Sequence, residues 1–225
     1  MPQVGCFDTA FHHDQPELAR LFAPPLIYRR EGVQRYGFHG LSYEYIAGAL
    51  AEIMGTPATA VVAHLGNGAS MCAMRDGQSV ASTMGFTAVE GLPMGTRTGS
   101  LTPGVLLYLI ERHGMGAKDL TNLLCVTVRP VGTGGQQRHA RIAGQPRSQR
   151  ELAVDYFCYR IALEPRSLAA ALGGLDALVF TGASASTRQR CASRSASVRP
   201  GWASNWTPRQ RRRWPADRPG RKRWR

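Results

Sequence analysis

The 225-residue chain is 43% hydrophobic and 19% charged, enough for one large or two small packed domains, and without a run of 18 apolar residues it excludes collagen-like, wholly disordered and membrane-spanning classes. Its net charge of +13 is unevenly placed: residues 182–225 hold 13 Lys+Arg and one acid, residues 126–150 hold five Arg and no acid, and the remainder carries −4. The start, MPQVGCFDTA, has neither the basic nor the apolar region of a secretory signal, so a cytoplasmic location is expected, and five scattered cysteines without a CxxC pair argue against a disulfide framework or a zinc site.

The elements read as an α/β protein. Residues 3–7 form a strand-like lead into Asp8, and residues 16–22 suit about two turns of helix with Pro16 first, where its missing N–H is harmless. An irregular stretch follows Pro24-Pro25. Ser42 then suits the N-cap of a helix whose Tyr45, Ile46, Ala49, Leu50, Ile53 and Met54 recur at helical spacing until Gly55 and Pro57. Residues 60–65, 70–75 and 78–83 read as three strands. Gly66-Asn67-Gly68 and Asp76-Gly77 break them with turn chemistry that tolerates positive φ, which predicts an antiparallel meander. The glycine-rich passage 84–99 predicts a long functional loop. Pro103 opens a helix through about His113, with Leu106, Leu107 and Ile110 on one face. Residues 151–172 are helical but interrupted at Pro165, and 175–180 form a buried-type strand. Residues 126–150 and 183–225 show no apolar period and predict disorder.

Four residue groups carry chemistry. The Gly-Asn-Gly hairpin can turn several backbone N–H groups toward phosphate oxygens, although such a turn is most often only a hairpin. Arg97 is an isolated guanidinium among glycines, suited to a phosphoryl or carboxylate ligand. Asp8 has the placement of a carboxylate that orients a metal or a nucleophile, with the cap of a turn as the commoner role. His39, flanked by glycines, can donate to a phosphoryl oxygen.

FDTAFH at 7–12, YGFHGLS at 36–42, HLGNGAS at 64–70 and STMGFTAVEGLPMGTRTG at 82–99, in that order, resemble the acetate kinase family over about residues 4–124 and 151–182. The resemblance implies an incomplete actin-like ATPase (ribonuclease H-like) fold. It also implies transfer of the ATP γ-phosphoryl group to acetate, or as nearly to propionate, with Mg²⁺, in a homodimer. On this resemblance Asp8 corresponds to the active-site aspartate, and His39 and Arg97 to groups that stabilise the transition state. His64, Leu65, Gly66, Asn67 and Gly68 correspond to the ATP phosphate-binding hairpin. The family's Mg²⁺ and acyl-pocket residues precede Asp8 and are not in this chain, so the chain by itself is expected to lack activity.

The resemblance divides the chain into a kinase-like region 1–125, a basic segment 126–150, a kinase-like helix and strand 151–182, and a basic tail 183–225. Where a Gly-Ile-Gly-Glu segment is expected, the chain reads Gly182-Ala183-Ser184-Ala185-Ser186-Thr187, as loss of one base from GC-rich codons produces. Both basic segments therefore read as out of frame. The other class of function is a nucleic-acid-binding protein acting through the tail, with Trp202, Trp206, Trp214 and Trp224 stacking on bases. No recognised nucleic-acid motif accompanies the charge.

Overall fold

The computed structural model describes residues 1–54, 58–127 and 147–182. Its helices are α1 (Glu17–Arg20), α2 (Leu26–Arg30), α3 (Gly40–Met54), α4 (Pro103–His113), α5 (Ala117–Asn122) and α6 (Arg147–Leu172). Four strands, β1 (Thr59–Leu65), β2 (Ala69–Arg75), β3 (Gln78–Ser82) and β4 (Ala177–Thr181), form one sheet in the order β3-β2-β1-β4. The first three are the expected antiparallel meander, and β4 lies parallel to β1, with α6 in the connection that parallel pairing requires.

Strand alternation divides the core into two layers. Val61, Ala63 and Leu65 of β1 face α6, whose Phe157, Ile161, Leu168 and Leu172 form a buried stripe, while Ala60 and Val62 face Tyr43, Ile46 and Leu50 of α3. Each large apolar side chain so buried contributes about 1.5–3 kcal/mol. This stripe explains why α6 runs unbroken through Pro165, where an interruption was expected. Pro165 is itself buried on the same face, so packing on both sides of it offsets a helix-interior proline cost of about 3 kcal/mol.

Other expectations change with context. Residues 3–7 form no strand and are exposed; they do not pair with the sheet. The helix expected over 16–22 is the single turn α1, and the stretch after Pro25 contains α2. The strand before Gly182 is only half-buried, since β4 is an edge strand among the described residues. Helix α4 has the expected bounds, with Gly114 at φ 61° ending it, but Leu107 and Ile110 on its apolar face are exposed. Of the segment 126–150, Val126 and Thr127 end a five-residue π-helical turn and 147–150 begin α6; the rest of it, the stop at Gly55 and Pro57, and the tail 183–225 lie outside the described residues. No described helix is long and apolar enough to cross a membrane, and Cys6, Cys72, Cys125 and Cys158 form no disulfide.

Candidate active site

The sheet delivers its tight turn, Gly66 to Gly68, to the N-terminal end of α3. Asp8 arrives there from a distant segment: its carboxylate accepts the His39 N–H at 3.1 Å and the Leu41 N–H at 3.4 Å, and its carbonyl accepts the Gly40 N–H at 2.9 Å. Asp8 thus caps α3, the role that sequence assigned to Ser42. Ser42 Oγ instead pairs with His64 Nδ1 at 2.9 Å. A cap from 31 residues away is invisible to a local reading, whereas a serine near the helix start is the usual signal. Asp8→Ala is expected to cost about 1 kcal/mol of stability, read as a lowered melting midpoint.

His39 stands at φ 62°, a left-handed conformation uncommon outside glycine, and this turns its N–H toward Asp8. Its ring stacks on His64 with centroids 4.4 Å apart, and its Nδ1 lies 2.8 Å from Ser70 Oγ. Burial, then the neighbouring His64, pushes the His39 pKa down to about 4. Burial also lowers His64. Both rings are therefore neutral at pH 7.

The glycines of the hairpin act through space rather than backbone freedom, contrary to the turn chemistry expected of them. Neither Gly66 nor Gly68 has positive φ, but a Cβ on Gly68 would meet His39 Nε2 at 2.8 Å and Arg97 Nη1 at 3.6 Å. The Asp76-Gly77 turn does use positive φ, 53° and 78°.

The passage 84–99 is irregular, as expected, yet firmly held. Leu92 and Met94 are buried, Arg35 pairs with Glu90 at 2.7 Å, and the Gly95 N–H donates to the Asn67 carbonyl at 3.3 Å, fastening the loop to the hairpin. Arg97 Nη1 donates to the Ala88 carbonyl at 3.0 Å and contacts Met94 Sδ at 3.3 Å. Among the described residues no carboxylate forms an ion pair with it.

Asp8, His39, Arg97 and the hairpin 64–68 are thus brought to one place. Asn67 is exposed at the turn's tip, and Leu65 is buried as core. Sequence reading missed the residues behind them. His12, the last residue of FDTAFH, is buried; its Nε2 donates to the Phe38 carbonyl at 3.0 Å, so its Nδ1 accepts, with Ser79 Oγ at 2.8 Å. Gln15 Nε2 donates to the same serine at 2.7 Å. This network ties the Asp8 segment to β3, and Gly37, at φ 71°, has no room for a Cβ because the His12 ring would lie 2.5 Å from it. Gly182, at φ 76° after β4, closes on Gly66 and His64.

The acetokinase family matches residues 1–196 of the chain. This chain belongs to that family. An acetate kinase of Rhodopseudomonas palustris is 53% identical over 188 residues, which cover 81% of this chain and 47% of the relative. The solved acetate kinase of Porphyromonas gingivalis is 36% identical with a TM-score of 0.74, covering 82% of this chain and 49% of that one. A propionate kinase from Francisella tularensis is 34% identical with a TM-score of 0.76, covering 84% and 52%. The chain therefore spans about half the length of the curated relatives it matches. Its fold is the actin-like ATPase fold of acetokinases, present here in part. These matches are to kinases and do not favour the nucleic-acid alternative.

One buried and two partly buried acetokinase histidines make stability depend on pH. His39, His64 and His12 all have folded pKa values below the unfolded 6.5, so the unfolded chain takes up protons first as pH falls. Stability is expected to be level above pH 6.5 and to decline from there down through pH 4. His39 alone accounts for about 2 kcal/mol once its partial exposure is discounted. Melting midpoints at pH 7.5, 5.5 and 4.5 check this; equal values would refute it.

Proposed function

We propose that this chain carries the phosphoryl-binding part of an acetate kinase-type site, which transfers the γ-phosphoryl group of ATP to acetate or propionate. The observation that supports it is the approach of His39 Nε2 and Arg97 Nη1 to Gly68, at a turn without side chains on either flank. Phosphoryl transfer asks a protein chiefly for alignment and for charge neutralisation on the oxygens around phosphorus. Arg97 supplies a fixed positive charge, His39 an N–H donor, and the hairpin a close backbone surface. The acyl carboxylate is already ionised at neutral pH, so its oxygen attacks the γ-phosphorus without a base, and ADP leaves with the bridging oxygen. Asp8, whose oxygens are engaged by the N-terminus of α3, orients groups rather than abstracting a proton.

The donors present fit Mg²⁺ only sparsely. Among the described residues no group of three or more carboxylate, His or Cys ligands occurs, and Asp8 is the carboxylate beside the stacked histidines. That is compatible with an ion held mainly by nucleotide oxygens and water, for which one carboxylate suffices; when bound, it neutralises phosphate charge. Homodimer formation and a cytoplasmic location follow from the same reading.

The test is a chimera in which residues 1–182 replace the matching part of the Rhodopseudomonas palustris acetate kinase. Acyl phosphate, trapped as the hydroxamate, is expected with acetate or propionate. His39→Gln is expected to lower turnover about a hundredfold. A folded chimera that phosphorylates neither acid sinks the proposal.

A further inference from the structure

On the Nδ1 side of His39 stand two hydroxyl groups sealed from solvent: Tyr43 and Ser70 are both 0% exposed. Tyr43 reaches the spot from the first turn of α3 and Ser70 from the start of β2. The Tyr43 hydroxyl lies 2.5 Å from Ser70 Oγ, which lies 2.8 Å from His39 Nδ1. The surroundings of Tyr43 are apolar, with Ile46, Leu50, Val62 and Met74 in the same cluster, so packing alone needs no hydroxyl there. A hydroxyl kept in such a place is explained by its hydrogen bonds.

Three groups in a line allow two consistent arrangements of hydrogens. In one, Tyr43 donates to Ser70, Ser70 donates to Nδ1, and the His39 hydrogen sits on Nε2. In the other, Nδ1–H donates to Ser70, Ser70 donates to Tyr43, and Nε2 is a bare acceptor. The strengths of the groups choose between them. A phenol is a stronger donor than an aliphatic hydroxyl, and a neutral imidazole nitrogen is a stronger acceptor than a phenol oxygen, so the first arrangement sets the better donor and the better acceptor at the two ends of the line. Burial pushes the Tyr43 pKa well above its ordinary value, so this hydrogen stays in place.

We propose that Tyr43 and Ser70 are positioning residues that hold His39 as its Nε2–H tautomer, so that its imidazole presents an N–H donor beside Gly68 and Arg97. The part that N–H plays toward a phosphoryl oxygen rests on the function proposed above. A bare Nε2 would set its lone pair against those of the oxygen, so for an uncharged ring the tautomer decides whether His39 attracts or repels the ligand.

The experiment uses the full chain with nitrogen-15 histidine, long-range proton–nitrogen NMR at pH 7.5, a His39→Gln variant to assign the signals, and inorganic phosphate as the probe. Wild type is expected to show the His39 hydrogen on Nε2 alone. Tyr43→Phe and Ser70→Ala, both close in shape to the parent, are expected to melt cooperatively and to show an average of the two tautomers. Each is expected to lose about three- to tenfold in phosphate affinity, and Ser70→Thr to restore the wild-type tautomer. A hydrogen on Nδ1 in wild type, or an unchanged tautomer in both variants, overturns the proposal. Should Tyr43→Phe fail to fold, Ser70→Ala decides alone. The expected tautomers in a wild type that binds no phosphate would support the relay and overturn the phosphoryl reading instead.

Discussion

Arg97→Ala is expected to weaken binding of inorganic phosphate and of ATP by about ten- to a hundredfold, about 1.5–3 kcal/mol, the usual contribution of a hydrogen bond between charged groups. The size follows from which groups near Gly68 are charged. His39 and His64 are neutral at pH 7 because burial holds both below their ordinary value. That leaves Arg97 as the cation set against Gly68 among the described residues. Its guanidinium is anchored through Nη1 to the Ala88 carbonyl and the Met94 sulfur, which fixes the plane and leaves further N–H donors for a ligand. Arg97→Lys is expected to recover only part of the loss, since an ammonium offers a point charge without the planar fork. Calorimetric titration with phosphate, beside a melting curve for each variant, separates ligand loss from unfolding. A change under threefold in Arg97→Ala would remove this residue from the site.

Gly40→Ala is expected to destabilise the protein by about 3 kcal/mol or more, enough to leave much of the chain unfolded at 37 °C. A Cβ at this position would lie 2.0 Å from the Asp8 carbonyl oxygen and 2.9 Å from Phe11 Cβ. The obstacle is backbone, which cannot swing aside as the end of a flexible side chain can. Relief requires the Asp8 segment to move, and that movement would break the 2.9 Å bond from the Gly40 N–H together with the carboxylate cap on α3. Gly48, on the exposed face of the same helix, has nothing within 4 Å of its Cβ position. Gly48→Ala is expected to stabilise by about 0.5–1 kcal/mol through helix propensity. Chemical denaturation of the pair checks both signs, and equal effects would show that the contact with Asp8 does not matter.

The regular elements were legible where the rule is local. Pro103 at a first helical position and Gly114 just past the end bound α4 as read, and Asp76-Gly77 makes the tight turn that its residues demand. The long helix was misjudged at Pro165, because a proline's cost can be read from its own residue while the buried stripe that offsets it depends on the sheet beneath. The single turn α1 and the unpaired lead 3–7 are further cases in which propensity alone did not decide.

The candidate site divides the same way. Sequence by itself determined which groups are present: Asp8, His39, Arg97, a hairpin with glycine on both flanks of Asn67, and a family pattern spanning four motifs. It could not show that Asp8 caps a helix, that the glycines serve close packing rather than positive φ, that His12 and Ser79 brace the Asp8 segment, or that Tyr43 and Ser70 stand on the Nδ1 side of His39. Dihedral preference and hydrophobic period act over a few residues, whereas these contacts join segments about 30 to 70 residues apart. Only the packing of α3 and the N-terminal segment against the sheet decided them, and with them the neutral charge of the two stacked histidines.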